Sequence, residues 1–225
     1  MSTQRCMNRS RSKHERMNVL VIAPHPDDEV IGCGGAICLH ADRGDRVVAV
    51  FLTSGELGLK HLPCAQAWKV REAEARKAAK ILGPAKLHFL RQPDWMLANH
   101  ARETATALTP VLKEENPGVI YLPHPKDGHP DHQATLPILK AALKRCREVK
   151  PELLAYEVWT PLAAHNLTLD ICQVMPRKLL ALRAHRSQLG EFDYVKAVTG
   201  LNQFRGALAG KCRFAEVFQT LSPGR

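Results

Sequence analysis

Residues 19–29 read Val-Leu-Val-Ile-Ala-Pro-His-Pro-Asp-Asp-Glu. The first five form a short unbroken apolar run, the pattern of a strand covered on both faces of a parallel sheet. The next six are prolines and ionisable residues, so a hydrophobic strand opens directly onto a charged mouth. Downstream, strand-like and helix-like stretches alternate. Residues 32–41 read as a helix opened by Gly32, Gly34 and Gly35 and ended by Arg43-Gly44, and residues 46–52 (RVVAVFL) as a strand. Residues 65–82 read as a helix stopped by Gly83-Pro84. Residues 86–90 follow as a strand, 100–115 as a helix, 119–122 as a strand and 132–147 as a helix. A fifth strand at 153–158, helices at 176–188 and 194–209 and a closing strand at 214–218 complete the reading. Such alternation predicts an α/β chain: a Rossmann-like, doubly wound, mainly parallel sheet with helices on both faces.

Composition agrees with that class. The 225 residues are 45% hydrophobic and 24% charged, ample for a large core and unlike a disordered chain. Seven scattered cysteines without a C-x-x-C pair argue against a disulfide framework or a thiolate zinc site, and they read as reduced thiols. No segment reaches the ~18 apolar residues of a membrane span, and the opening residues lack an apolar signal core. The cytoplasm is therefore the expected address. Net charge is +10, of which residues 1–17 supply +4 through Arg5, Arg9, Arg11, Lys13 and Arg16 against Glu15. This stretch reads as a basic, disordered tail ahead of a single domain over residues 18–225. No nucleic-acid-binding motif accompanies the charge, so a nucleic-acid partner is not expected.

In a doubly wound sheet, ligands bind beyond the carboxyl ends of the strands, where strand order reverses. The loop after the fourth strand is as unusual as the first: residues 123–132 read Pro-His-Pro-Lys-Asp-Gly-His-Pro-Asp-His. Prolines restrict its backbone and fix side-chain directions. Without thiolates, zinc takes imidazole and carboxylate donors, and a catalytic site keeps one position open for water. His25 and Asp28, three residues apart on a turn, can face one point, and His132 from the second loop completes the set. Asp27 and His129 remain as general base and general acid, with Asp131 placed to orient an imidazole.

His-Pro-Asp-Asp-Glu after the first strand, followed by Gly-Cys-Gly-Gly, resembles one signature of the PIG-L (LmbE-like) family of metal-dependent N-deacetylases. Asp127-Gly128-His129-Pro130-Asp131-His132 resembles the other. Residues 53–56, 71–75 and 215–218 resemble further family positions, and the likeness runs from about Val19 to Phe218. The resemblance implies removal of an acyl group, usually acetyl, from an N-acetylglucosamine-type molecule or glycoconjugate. It places the metal ligands on His25, Asp28 and His132, the general base on Asp27 and the oxyanion-stabilising histidine on His129. Asp131 becomes the partner that keeps His129 charged, and Arg71 helps to hold the substrate. Residues 57–67 and the segment around Asp94-Trp95 stay unassigned.

Other readings stand beside this one. The chain could cleave a larger N-acyl group, or carry iron(II), since two histidines and a carboxylate also describe the non-haem iron triad. It could also be a basic nucleic-acid-binding module with a non-catalytic metal site, or a structural metal protein. Oligomeric state is open, a homo-oligomer among the choices. Arg71 could instead lie on a solvated helix face, and Trp95 and Trp159 read as core or pocket wall. The three glycines read as sites of close helix–strand packing, since acidic Asp27, Asp28 and Glu29 would repel a dinucleotide phosphate.

Overall fold

The computed structural model describes residues 5–6, 16–190 and 192–222. Its strands are β1 (Arg5–Cys6), β2 (Asn18–Ala23), β3 (Arg46–Thr53), β4 (Lys86–Gln92), β5 (Val119–Pro123), β6 (Glu152–Tyr156), β7 (Leu167–Asp170) and β8 (Ala215–Leu221). They form one sheet in the order β1-β7-β8-β6-β5-β2-β3-β4. All neighbouring pairs are parallel except those of β8, which runs antiparallel to both β6 and β7. The expected strands are present, and β1 and β7 are additions to them. Most of residues 1–17, read as a tail, lies outside the described residues; the described pair Arg5–Cys6 runs alongside Leu167–Thr168.

The helices are α1 (Asp28–Asp42), α2 (Cys64–Leu82), α3 (Ala101–Glu115), α4 (Pro130–Leu143), α5 (Met175–Leu182), α6 (Arg186–Leu189) and α7 (Tyr194–Arg205). Successive residues of a strand point to opposite faces, and β2 shows why its sequence has no polar alternation. Val19, Val21 and Ala23 enter one apolar cluster with residues of α1, α2 and α5. Leu20 and Ile22 enter another with residues of α3 and α4. Both faces of the central strand are therefore dry.

The first helix begins earlier than the sequence suggested. Asp28 and Glu29 occupy its first turn, where the positive end of the helix dipole favours carboxylates. The glycine-rich segment is instead a kink: Cys33 has non-helical angles (φ −143°, ψ 24°). Glu216 of β8 re-caps the helix there, accepting from Gly35 N–H at 2.7 Å and Ala36 N–H at 2.8 Å. Gly32 serves close packing, since a Cβ at that position would lie 2.1 Å from the Tyr156 ring on β6. The single helix expected over 176–188 is split into α5 and α6, and the last helix ends in a π-type turn at Gly206–Gly210. Cys33, Cys38, Cys64, Cys146, Cys172 and Cys212 are free thiols. Among the described residues, no helix is long and apolar enough to cross a membrane.

Candidate metal centre and active site

The loops after β2 and β5 leave adjacent, parallel strands at the same end of the sheet. The chain winds outward in opposite directions from this pair, through β3 and β4 on one side and through β6 on the other. This is the switch point of the fold, and its two loops bring the predicted ligands together. Asp28 Oδ2 lies 3.1 Å from His25 Nδ1 and 3.2 Å from His132 Nε2, and the two nitrogens are 3.3 Å apart. A tetrahedral ion about 2.0–2.2 Å from each donor needs edges of about 3.3–3.6 Å, within a few tenths of an ångström of this triangle. Size, donor type and burial therefore fit a divalent ion. His25, His129 and His132 form a wider cluster at the same place, and His25 Nε2 looks toward Asp94 and Asp131. The triangle is preferred because its three donor atoms converge on one another.

Carboxylates back both imidazoles, a pattern that fixes ring orientation in metal sites. His132 Nδ1 lies 2.8 Å from Asp127 Oδ1. Asp127 is itself held, its Oδ2 accepting from Trp159 N–H and Thr160 N–H. His25 Nε2 lies 3.2 Å from Asp131 Oδ2 and 3.0 Å from Asp94 Oδ1. Burial opposes charge on His25, but hydrogen bonds to Asp131 and Asp28 hold its pKa well above the ordinary value. Burial likewise opposes charge on His132, yet Asp28 and Asp127 raise it to about 9. Burial also works against the Asp28 carboxylate, but His132 and His25 hold its pKa well below the usual range. The carboxylates that raise these pKa values would equally favour a bound cation, which competes with protons for the ring nitrogens.

Asp27 precedes α1 at φ 132°, ψ −27°, a region costly for a residue with a side chain. Its N–H donates to Glu29 Oε2, and its carbonyl accepts from Val30 and Ile31. Burial pushes its carboxyl up to about 6, against the pull of Arg71, whose Nη2 is 3.5 Å away. Arg71 is 2% exposed, which excludes a solvated helix face. Its Nη2 donates to Pro26 O, while Nε and Nη1 are buried with no hydrogen-bond partner among the described residues. Gly55, at φ 62°, makes room for the guanidinium, because a Cβ there would lie 2.9 Å from Nη2.

His129 sits at the start of α4, edge-on to His25 with ring centroids 4.6 Å apart. Burial, then His25 and His132, lower its pKa to about 4. Its Nδ1 accepts from Asp131 N–H, which leaves the proton of the neutral ring on Nε2. Here the geometry departs from expectation. The Asp131 carboxylate is not on His129; its Oδ2 meets Trp95 N–H and His25, and its Oδ1 accepts from Leu97 N–H. His129 therefore has no carboxylate hydrogen-bonded to its ring, and with Nδ1 occupied by the Asp131 N–H, Nε2 is the nitrogen left to face the site. Trp95 and Trp159 are 55% and 53% exposed, so neither belongs to the core. The sequence reading missed Asp127 and Asp94 as backing carboxylates. Asp127 could have been found as the one unassigned acid in the Asp-Gly-His-Pro-Asp-His run; nothing local marks Asp94.

Comparison with known proteins gives the family of the chain. The description of the PIG-L family, GlcNAc-PI de-N-acetylase, matches residues 20–143. The chain is 33% identical over 190 residues to diacetylchitobiose deacetylase of Thermococcus kodakarensis, covering 77% of this chain and 70% of the relative. It is 31% identical to a probable N-acetyl-alpha-D-glucosaminyl L-malate deacetylase 2 of Bacillus cereus, covering 76% and 83%. The solved N,N'-diacetylchitobiose deacetylase of Pyrococcus horikoshii superposes with a TM-score of 0.78 at 28% identity, covering 91% and 84%.

Proposed function

The chain belongs to the PIG-L family, and from that membership we propose that it hydrolyses the N-acetyl group of an N-acetylglucosamine-type small molecule or glycoconjugate. Residues 18–225 act as one catalytic domain with one divalent ion, zinc, held by His25, Asp28 and His132. The observation that carries this reading is the triangle of donor atoms with 3.1–3.3 Å edges at the switch point. Zinc, when bound, lowers the pKa of water there from ~15.7 toward ~7 and polarises an amide carbonyl.

Asp27, with its carboxyl near 6, takes the proton of the attacking water at neutral pH. The water oxygen adds to the carbonyl carbon, and His129 donates its Nε2–H to the oxygen that gains charge. The C–N bond then breaks, acetate departs, and the amine leaves with the proton that Asp27 took from the water. Arg71 offers two buried donors, Nε and Nη1, that sugar oxygens would satisfy. Asp131 and Asp127 position His25 and His132.

Acetate release from a panel of N-acetylated amino sugars, with and without a chelator, tests this directly. Release that stops with the chelator and returns with zinc is expected; release indifferent to the chelator would overturn the metal role. A preference for longer N-acyl chains would make the chain a broader amidase. The same two-imidazole, one-carboxylate set suits iron(II) as well. Substrate consumption that requires oxygen would favour that ion and its chemistry.

A further inference from the structure

Cys172 and Cys212 are 40 positions apart, yet the fold sets them side by side. Cys172 follows β7, and Cys212 lies in the turn that leads into β8, the antiparallel partner of β7. Their sulfurs lie within 4.8 Å of each other and of an Asp170 carboxylate oxygen. One carbonyl gathers both thiols: Phe214 O accepts from Cys212 Sγ at 3.3 Å and from Cys172 Sγ at 3.7 Å. Phe214 N–H donates in turn to Cys172 Sγ at 3.3 Å, which favours negative charge on that sulfur.

The turn is shaped around the second thiol. Cys212 N–H donates to Gly206 O at 3.1 Å, and Lys211 beside it takes φ 51°. A Cβ at Gly206 would lie 2.6 Å from the Cys212 carbonyl oxygen, and one at Gly210 would lie 2.8 Å from Cys212 Sγ. Glycine at both positions lets the chain close tightly enough to carry Cys212 up to its partner. Cys172 opens onto a cavity of about 500 Å³ that Leu179, Phe214, Arg183 and Arg213 also line. The two arginines give this cavity a positive character, suited to a small molecule that bears carboxylates. Asp170 does not make the cluster a strong cation site. Its carboxylate is exposed and its Oδ1 already accepts from Cys172 N–H at 2.9 Å, which leaves the two thiols to each other.

We infer that Cys172 and Cys212 are a redox-active dithiol, closed to a disulfide by an anionic low-molecular-weight disulfide that enters the cavity. The Cys172 thiolate attacks one sulfur of that molecule, forming a mixed disulfide and expelling one small thiolate. The Cys212 thiolate then attacks Cys172 Sγ and expels the second. Two protein thiols are oxidised to one disulfide, one small disulfide is reduced to two thiols, and the two protons pass from the former to the latter. Burial, then Asp170 and Cys172, push the Cys212 thiol up to about 11. Such a thiol leaves poorly, so the bridge, once closed, resists reduction by attack at Cys172. The bridge closes the neck of the excursion that carries α5, α6 and α7, and cross-linking a loop of that length removes chain entropy from the unfolded state. The dithiol is independent of the deacetylase reading and stands or falls without it.

The probe is oxidised glutathione, added to the full-length reduced chain, with the remaining free thiols then alkylated and the peptides weighed. The expected product is a cross-linked peptide pair joining Cys172 to Cys212, lighter by two hydrogens, while exposed Cys64 takes up glutathione at most as a mixed disulfide. Oxidation should raise Tm by roughly 4–16 °C, and Cys212→Ser should abolish that rise. The same variant should accumulate glutathione on Cys172, the trapped first step, whereas Cys172→Ser should leave Cys212 unmodified. A wild-type chain in which both thiols stay open to alkylation, or in which glutathione stays on Cys172 without a bridge, would overturn the inference. Zinc that shields both thiols from alkylation, with no bridge formed by the oxidant, would make Asp170, Cys172 and Cys212 a metal centre and overturn it too. Because the mapping is read on the wild-type chain, a serine variant that fails to fold leaves the decision intact.

Discussion

Asp27 and His129 face the same reacting centre but differ in what a substitution should reveal. The Asp27 backbone is fixed at positive φ by hydrogen bonds from its own neighbours, so an isosteric amide can keep its place. Asp27→Asn should therefore retain one metal per chain by elemental analysis and lose about 10²–10⁴ in kcat. Loss of metal along with turnover would make Asp27 a ligand. His129→Ala should cost about 10²–10³ in kcat if its neutral Nε2–H meets the oxyanion. Because that role needs only a neutral donor, His129→Gln should recover part of the loss; a glutamine variant no better than alanine would remove the donor role. His25, Asp27, Asp28 and His132 were legible in the sequence because proline-flanked carboxylates and imidazoles at strand ends are a local signal. Which carboxylate backs which imidazole was not. Asp131 serves His25 and Trp95 because the β4–α3 loop folds over the start of α4, a tertiary meeting that no local spacing encodes.

Among the elements, α1 shows most clearly how distant residues decide a helix. Its glycines read as a start, yet they mark a kink whose freed N–H groups are satisfied by Glu216, some 180 residues away. Glu216 also accepts from Lys178 Nζ at 2.7 Å, and Asn202 Oδ1 accepts from the same ammonium at 2.9 Å. Lys178 is fully buried and Glu216 is 2% exposed. Glu216→Gln strands a buried ammonium and should cost about 3–5 kcal/mol in urea unfolding. Lys178→Met should cost less, since the carboxylate keeps two backbone donors at a helix restart, and the double variant should recover much of the Glu216→Gln loss. Additive losses would mean the pair is not coupled. The central strands were readable because continuous apolar runs need no long-range information. The four-residue β7, Leu-Thr-Leu-Asp, was too short and too mixed to stand out, and it exists because β8 pairs with it.

At the level of the whole molecule, the candidate site joins the two halves of the core. His25 and Asp28 sit at the start of α1, which packs on one face of the sheet, and His132 lies in α4 on the other. An ion gripped by all three would add a bond between the two layers to the contacts that His25 and Asp28 already make with Asp131 and His132. Any ligand that binds the folded chain alone stabilises it by RT ln(1 + [L]/Kd), about 4.1 kcal/mol at a thousandfold excess over Kd. For a domain of this size that corresponds to a Tm shift of about 8–16 °C. Chelation should therefore lower Tm by that order, and zinc should restore it. His25→Ala should melt near the chelated protein and ignore further chelator. A wild-type Tm indifferent to both chelator and zinc would show that the three side chains converge without holding an ion, and the hydrolytic reading would lose its centre while the fold remained intact.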